Sequence, residues 1–204
     1  MNMRFRSNLW RPLTLSGLIL LTGCSVLPTP SPTVARHDFG PAPEFQAVVP
    51  SSVRLVGVTA PGWVDTSAIH YRMLAKDPTR LRSYADNRWA ASPRQLIASR
   101  LQRAGLGFYQ TPSVRYGLTI DVTDCVQVIA GPQLAHVDLR LVARVTRLGD
   151  GAVVARRVFA DHDPTAATVD GAVTGLSQAV DRQVRNVLAW LPKAVDQATP
   201  GTGS

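Results

Sequence analysis

The side chains best suited to chemistry are two cysteines and four histidines, and their spacing limits what they can do. Cys125 has no histidine at a recognisable spacing, and the chain contains no Gly-x-Ser-x-Gly elbow. A periplasmic hydrolase using Cys125 or a serine as nucleophile therefore has no motif behind it. His37, His70, His136 and His162 are dispersed along the chain. Asp161-His162-Asp163 looks most like a metal cluster, but it directly precedes Pro164 in what reads as a solvated turn, and no second ligand group has metal-site spacing. The lysines, Lys76 and Lys193, lack the glycine-rich context of a phosphate loop, so ATP hydrolysis would belong to another chain. The sequence predicts no metal, no cofactor and no enzyme.

Cys24 is different. It follows Leu21-Thr22-Gly23, and this tetrad resembles the lipobox of bacterial lipoproteins: a leucine, two small residues, then a cysteine whose thiol is diacylated before cleavage. The flanks agree. Arg4, Arg6 and Arg11 form a positive n-region with no acid before Asp38. Leu13 to Leu21 is an apolar stretch shorter than the roughly 20 residues a spanning helix needs, and it reads as a signal-peptide h-region. Residues 1–23 are thus expected to be a signal peptide and Cys24 the lipid attachment site. Ser25 follows Cys24; an aspartate there commonly retains such proteins at the inner membrane, so the analogy places the anchor in the outer membrane, facing the periplasm.

The formal charge is +8, from 22 basic and 14 acidic residues; losing the three arginines of residues 1–23 lowers it to +5. The remaining arginines are scattered through alternating patterns rather than clustered, which fits a solvated surface and not nucleic-acid binding. With Cys24 acylated, Cys125 is the sole thiol and no intramolecular disulfide can form. Stability must come from a packed core, and the length suits one domain.

Pro28, Pro30, Pro32, Pro41, Pro43 and Pro50 block helix and sheet ladders, so residues 24–50 read as the lipidated cysteine and an extended tether. The globular domain is expected at 51–192 and a disordered tail at 193–204. Val53–Thr59 is a β-branched run closed by Pro61-Gly62. Ile69–Leu74 and Leu81–Tyr84 suggest a hairpin turning near Asp77. Ser92-Pro93-Arg94-Gln95 has the order of a helix start: a cap, a proline at the first position, and a glutamine able to reach back to the cap N–H. Leu96, Ile97, Leu101 and Ala104 continue it at helical spacing, and Gly105 ends it. Tyr116 to Val122 alternates with period two. Val137 to Val145 alternates likewise and turns at Gly149-Asp150-Gly151 into Ala152–Ala160, a β-hairpin. From Val169 to Leu191 apolar residues step by three and four, an amphipathic helix that Pro192 is expected to stop. The order predicts an α+β fold: a mostly antiparallel sheet of about five to six strands with two helices packed on one face, the other face largely polar.

Several segments carry a more specific signal. Ile69-His-Tyr-Arg-Met, then Leu81-Arg-Ser-Tyr84-Ala-Asp-Asn-Arg88-Trp89-Ala, then Pro93-Arg-Gln-Leu-Ile together resemble the ABC-type transport auxiliary lipoprotein family. His37-Asp38-Phe39-Gly40 is similar to that family's leading tyrosine-aspartate-leucine-glycine motif, with His37 and Phe39 substituted. Ala160 to Leu191 is similar to its final helix.

The resemblance implies a lipoprotein accompanying an MCE-type ABC system for lipid trafficking, with an MCE-domain protein and the ABC permease and ATPase as partners. Tyr84, Arg88 and Trp89, between a strand and a capped helix, become candidate partner contacts; the plain alternative is that Trp89 anchors the helix while Arg88 pairs with a neighbour such as Asp86. The competing function is an outer-membrane assembly or envelope-integrity lipoprotein binding another envelope component, since fold alone does not separate the two.

Overall fold

The computed structural model describes residues 33–198. The signal segment, Cys24 and the tail beyond Ala198 lie outside the described residues. Seven strands and two helices follow in the order β1 (Ala35–His37), β2 (Val53–Thr59), β3 (Ala68–Met73), β4 (Asp77–Trp89), α1 (Pro93–Arg103), β5 (Tyr116–Gly131), β6 (Leu134–Arg147), β7 (Val153–Thr165) and α2 (Val169–Asp196).

The strands form one sheet ordered β1-β4-β3-β5-β6-β7, with β2 also paired to β5. One edge of β5 is shared: β2 runs parallel to its first half, Val53 opposite Tyr116, and β3 runs parallel to its second half, Tyr71 opposite Gln127. β3–β4, β5–β6 and β6–β7 are antiparallel, and β1–β4 is parallel. The expected antiparallel sheet of five to six strands is therefore corrected to a mixed sheet of seven. The reason lies in the connections. The β3–β4 hairpin and α1 intervene between β2 and β5 and carry the chain back to the same end of the sheet, which enforces a parallel pairing.

The long central strands keep an inner face of Tyr116, Leu118, Ile120 and Val122 on β5 and Val137, Leu139, Leu141, Ala143 and Val145 on β6, all buried. A register shift between Val122 and Asp124 reverses the alternation, so Cys125 and Gln127 continue the inner face. That bulge conceals the second half of β5 from period-two reading.

α2 packs on this layer through Ala172, Leu176, Ala179, Val180, Val184, Val187, Leu188 and Leu191, all buried. Thr168 caps it by accepting from the Gly171 N–H at 3.1 Å. Pro192 does not stop it. The helix runs on to Asp196 because Ala194 and Val195, in the following turn, are buried; their burial offsets the missing N–H, whose loss costs about 3 kcal/mol in a helix interior. α1 starts as the sequence predicts, Gln95 Oε1 accepting from the Ser92 N–H at 3.2 Å. It is followed by Gly105 at φ +96°, the left-handed region a glycine tolerates.

Residues 35–49, assigned by proline content to the tether, join the domain. Ala35–His37 pairs with Asn87–Trp89, Phe39 is in the core, and Phe45, Ala47 and Val49 pack against it. Likewise Asp161-His162-Asp163 is no turn but part of β7, paired with β6 through Thr165. Pro164 sits near the end of β7, an edge strand, which is where proline is tolerated within a sheet.

Candidate functional site

The segment leading from β4 into α1 is built around three side chains. Tyr84 stacks on Tyr71 with ring centroids 4.7 Å apart and donates its hydroxyl to Gln127 Oε1 at 2.6 Å. Gln127 is fully buried, and its Nε2 donates to the carbonyls of Ala166 and Thr168 at 2.7 and 3.3 Å. One hydroxyl and one amide thus tie β4 to β5 and to the β7–α2 connection. Burial pushes the Tyr84 phenol up to about 12, so it stays a donor across the physiological range.

Arg88 donates from Nη1 to the carbonyl of Tyr84 and, at 2.8 Å, to that of Asn87. It holds the end of β4 by its backbone rather than pairing with Asp86. Trp89 is 1% exposed and meets Phe39 edge-on, centroids 5.3 Å apart. The three expected contact residues are therefore neighbours with unequal access: Tyr84 and Arg88 are half-buried, and Trp89 is core.

Sequence reading missed the residue that locks this corner. Arg100, on α1, is 2% exposed; its Nη2 donates to the carbonyls of Phe39 and Gly40 at 2.6 and 3.2 Å, and its Nε lies 3.1 Å from Asp181 Oδ1 on α2. That last contact is an ion pair lying off hydrogen-bond geometry. Burial lifts the Asp181 carboxyl above its ordinary range, against the opposing pull of Arg100 and Arg185. His37-Asp38-Phe39-Gly40 is thereby fixed at every position: His37 to Asn87 at 2.8 Å, Asp38 to the Gly40 N–H at 2.8 Å, Phe39 in the core and Gly40 at φ +69°. The signal was available, since Arg100 stands in the Ile97–Leu101–Ala104 stripe, where a charge must be paired.

Cys125 is buried, and that burial pushes its thiol up to about 12, which keeps it in the protonated form at neutral pH. The histidines are not all dispersed in space. The β6–β7 register sets His162 opposite Asp138, two residues from His136. Among the described residues these three form the one group whose donor atoms converge, all within 4.8 Å of one another. Asp161 and Asp163 point the other way, toward Arg182 on α2.

Among the described residues no helix is long and apolar enough to cross a membrane. The sequence model of a family described as ABC-type transport auxiliary lipoprotein component matches residues 27–187. No curated protein sequence matches the chain. Among solved structures, a Xanthomonas campestris protein of the DUF330 family aligns with a TM-score of 0.62 at 22% identity, covering 81% of this chain and 95% of that one. Another, an uncharacterized protein, aligns with a TM-score of 0.58 at 14% identity, covering 77% of this chain and 97% of its own. At these identities the likeness is one of fold.

Proposed function

The chain belongs to the ABC-type transport auxiliary lipoprotein family, and from that premise we propose that it is the non-catalytic, membrane-anchored accessory of an ABC system moving lipid through the envelope. The observation that carries this reading is the family match over residues 27–187, which begins just behind the lipobox cysteine. In this reading the acyl chains on Cys24 hold the protein in the outer membrane, and the domain docks an MCE-domain protein that feeds the permease and ATPase. The docking surface is the edge of β4 near Tyr84 and Arg88. β1 covers only Asn87–Trp89 of that strand, so its earlier residues offer backbone donors and acceptors on that side. Trp89 contributes from beneath by holding the strand end against Phe39.

An epistasis experiment tests the function. Movement of a labelled phospholipid between the two membranes is followed in strains lacking this chain, the ATPase, or both. The expected result is one shared defect, not deepened in the double deletion, restored by the wild-type chain and not by Cys24→Ala. Unaltered lipid movement with defective outer-membrane protein assembly would instead favour an assembly or envelope-integrity lipoprotein.

A further inference from the structure

On the sheet face away from the helices, β6 and β7 bring two imidazoles and a carboxylate to one point. Val137 and Leu139 point into the core against α2, so His136 and Asp138 point outward, and His162 stands directly across the strand pair from Asp138. His162 Nδ1 lies 2.7 Å from Asp138 Oδ1, and His136 Nε2 lies 3.6 Å from the same oxygen. The two rings stack with centroids 3.7 Å apart.

We propose that His136, Asp138 and His162 form a binding site for a divalent first-row transition-metal ion of the Zn2+ type. Each imidazole turns a ring nitrogen toward the same carboxylate oxygen, so three potential ligand atoms face one point. A divalent cation satisfies all three donors at once. Tetrahedral coordination at about 2.0–2.1 Å separates neighbouring donors by about 3.3 Å; the two pairs that share Asp138 stand at 2.7 and 3.6 Å, and all three donor atoms fall within 4.8 Å of one another. Two imidazoles and one carboxylate select borderline metals over Mg2+ and Ca2+, which take oxygen ligands.

The surroundings suit such a site. Val126 and Val128, the β5 partners of Asp138 and His136, are buried beside it and keep water from that flank. On the other flank a groove of about 330 Å3, lined in part by Asp124, Asp138, Arg140 and His162, leaves room for a fourth ligand from water or another molecule. His37 and His70 are engaged elsewhere, with Asn87 and with Thr66 and the Arg82 carbonyl.

Titration calorimetry of Zn2+ into the full, tag-free chain in detergent tests the site, alongside His136→Ala and His162→Ala, with Mg2+ and Ca2+ as competing ions. His162 is 70% exposed, so its removal leaves the core intact and separates loss of binding from loss of fold. The expected result is one ion per chain, affinity reduced at least about tenfold in each variant, and no competition from Mg2+ or Ca2+. Absence of binding to the wild type, or unchanged affinity in His162→Ala, would overturn the proposal.

Discussion

Arg100 shows how much of the corner between β1, α1 and α2 depends on one guanidinium. Removing it frees the Phe39 and Gly40 carbonyls and leaves Asp181 without its ion pair. Arg100→Ala is expected to destabilise the domain by about 3 kcal/mol, the range for breaking a buried pair, read from urea unfolding. Asp181→Ala in the Arg100→Ala background should add little, since the pair is already broken. Cys125 gives a pH dependence of known sign. Its thiol rises from an ordinary 9.0 to about 12 on burial, so above pH 9 the unfolded chain releases a proton that the folded chain keeps. Stability is then whole below pH 9 and is lost progressively as pH climbs toward 12. Urea midpoints at about pH 8 and about pH 10 should fall more in the wild type than in Cys125→Ala, and a thiol reagent should label Cys125 only on unfolding. The residues legible from sequence were those with local grammar, such as Ser92, Pro93, Gln95 and Gly105. Arg100 and the His136–His162 pair act across strands and helices and have no local signature beyond a polar residue in an apolar stripe.

At the scale of elements, the close approach of α2 to the sheet is set by Gly175. A methyl there would collide with Thr165 Cγ2 and meet Val137 Cγ1 at 3.1 Å, both on stiff β-branched side chains. Gly175→Ala is therefore expected to destabilise by about 1–3 kcal/mol, overriding the gain of about 1 kcal/mol that alanine brings to a helix interior. Thermal unfolding decides the sign. Pro192→Ala should do the reverse and raise the melting temperature, because it restores the N–H of a turn already held by Ala194 and Val195. Amphipathic spacing located α2 and capping chemistry located α1, whereas three features escaped the pattern for physical reasons. The bulge after Val122 shifted the phase of β5, the prolines around β1 masked a short parallel strand, and Pro164 disguised the end of β7.

For the molecule as a whole, anchor and domain are expected to be separable. Cys24→Ala should move the protein to the soluble fraction of the envelope while its unfolding curve stays that of the wild type, since every core residue found lies at or beyond Phe39. Localisation and stability then report on different parts of the chain. The family and the α+β class were legible because the lipobox-like tetrad, the Tyr84–Trp89 segment and the alternating hairpin are local patterns. The mixed topology was not, because parallel pairing is decided by where long connections return. The most direct measurement of the central claim is crosslinked capture from intact envelopes, comparing tagged wild type with Cys24→Ala and identifying the bound proteins. The account predicts that the wild type recovers an MCE-domain protein and ABC transporter subunits, with the yield falling in Cys24→Ala. Reproducible capture of outer-membrane assembly factors alone would contradict it.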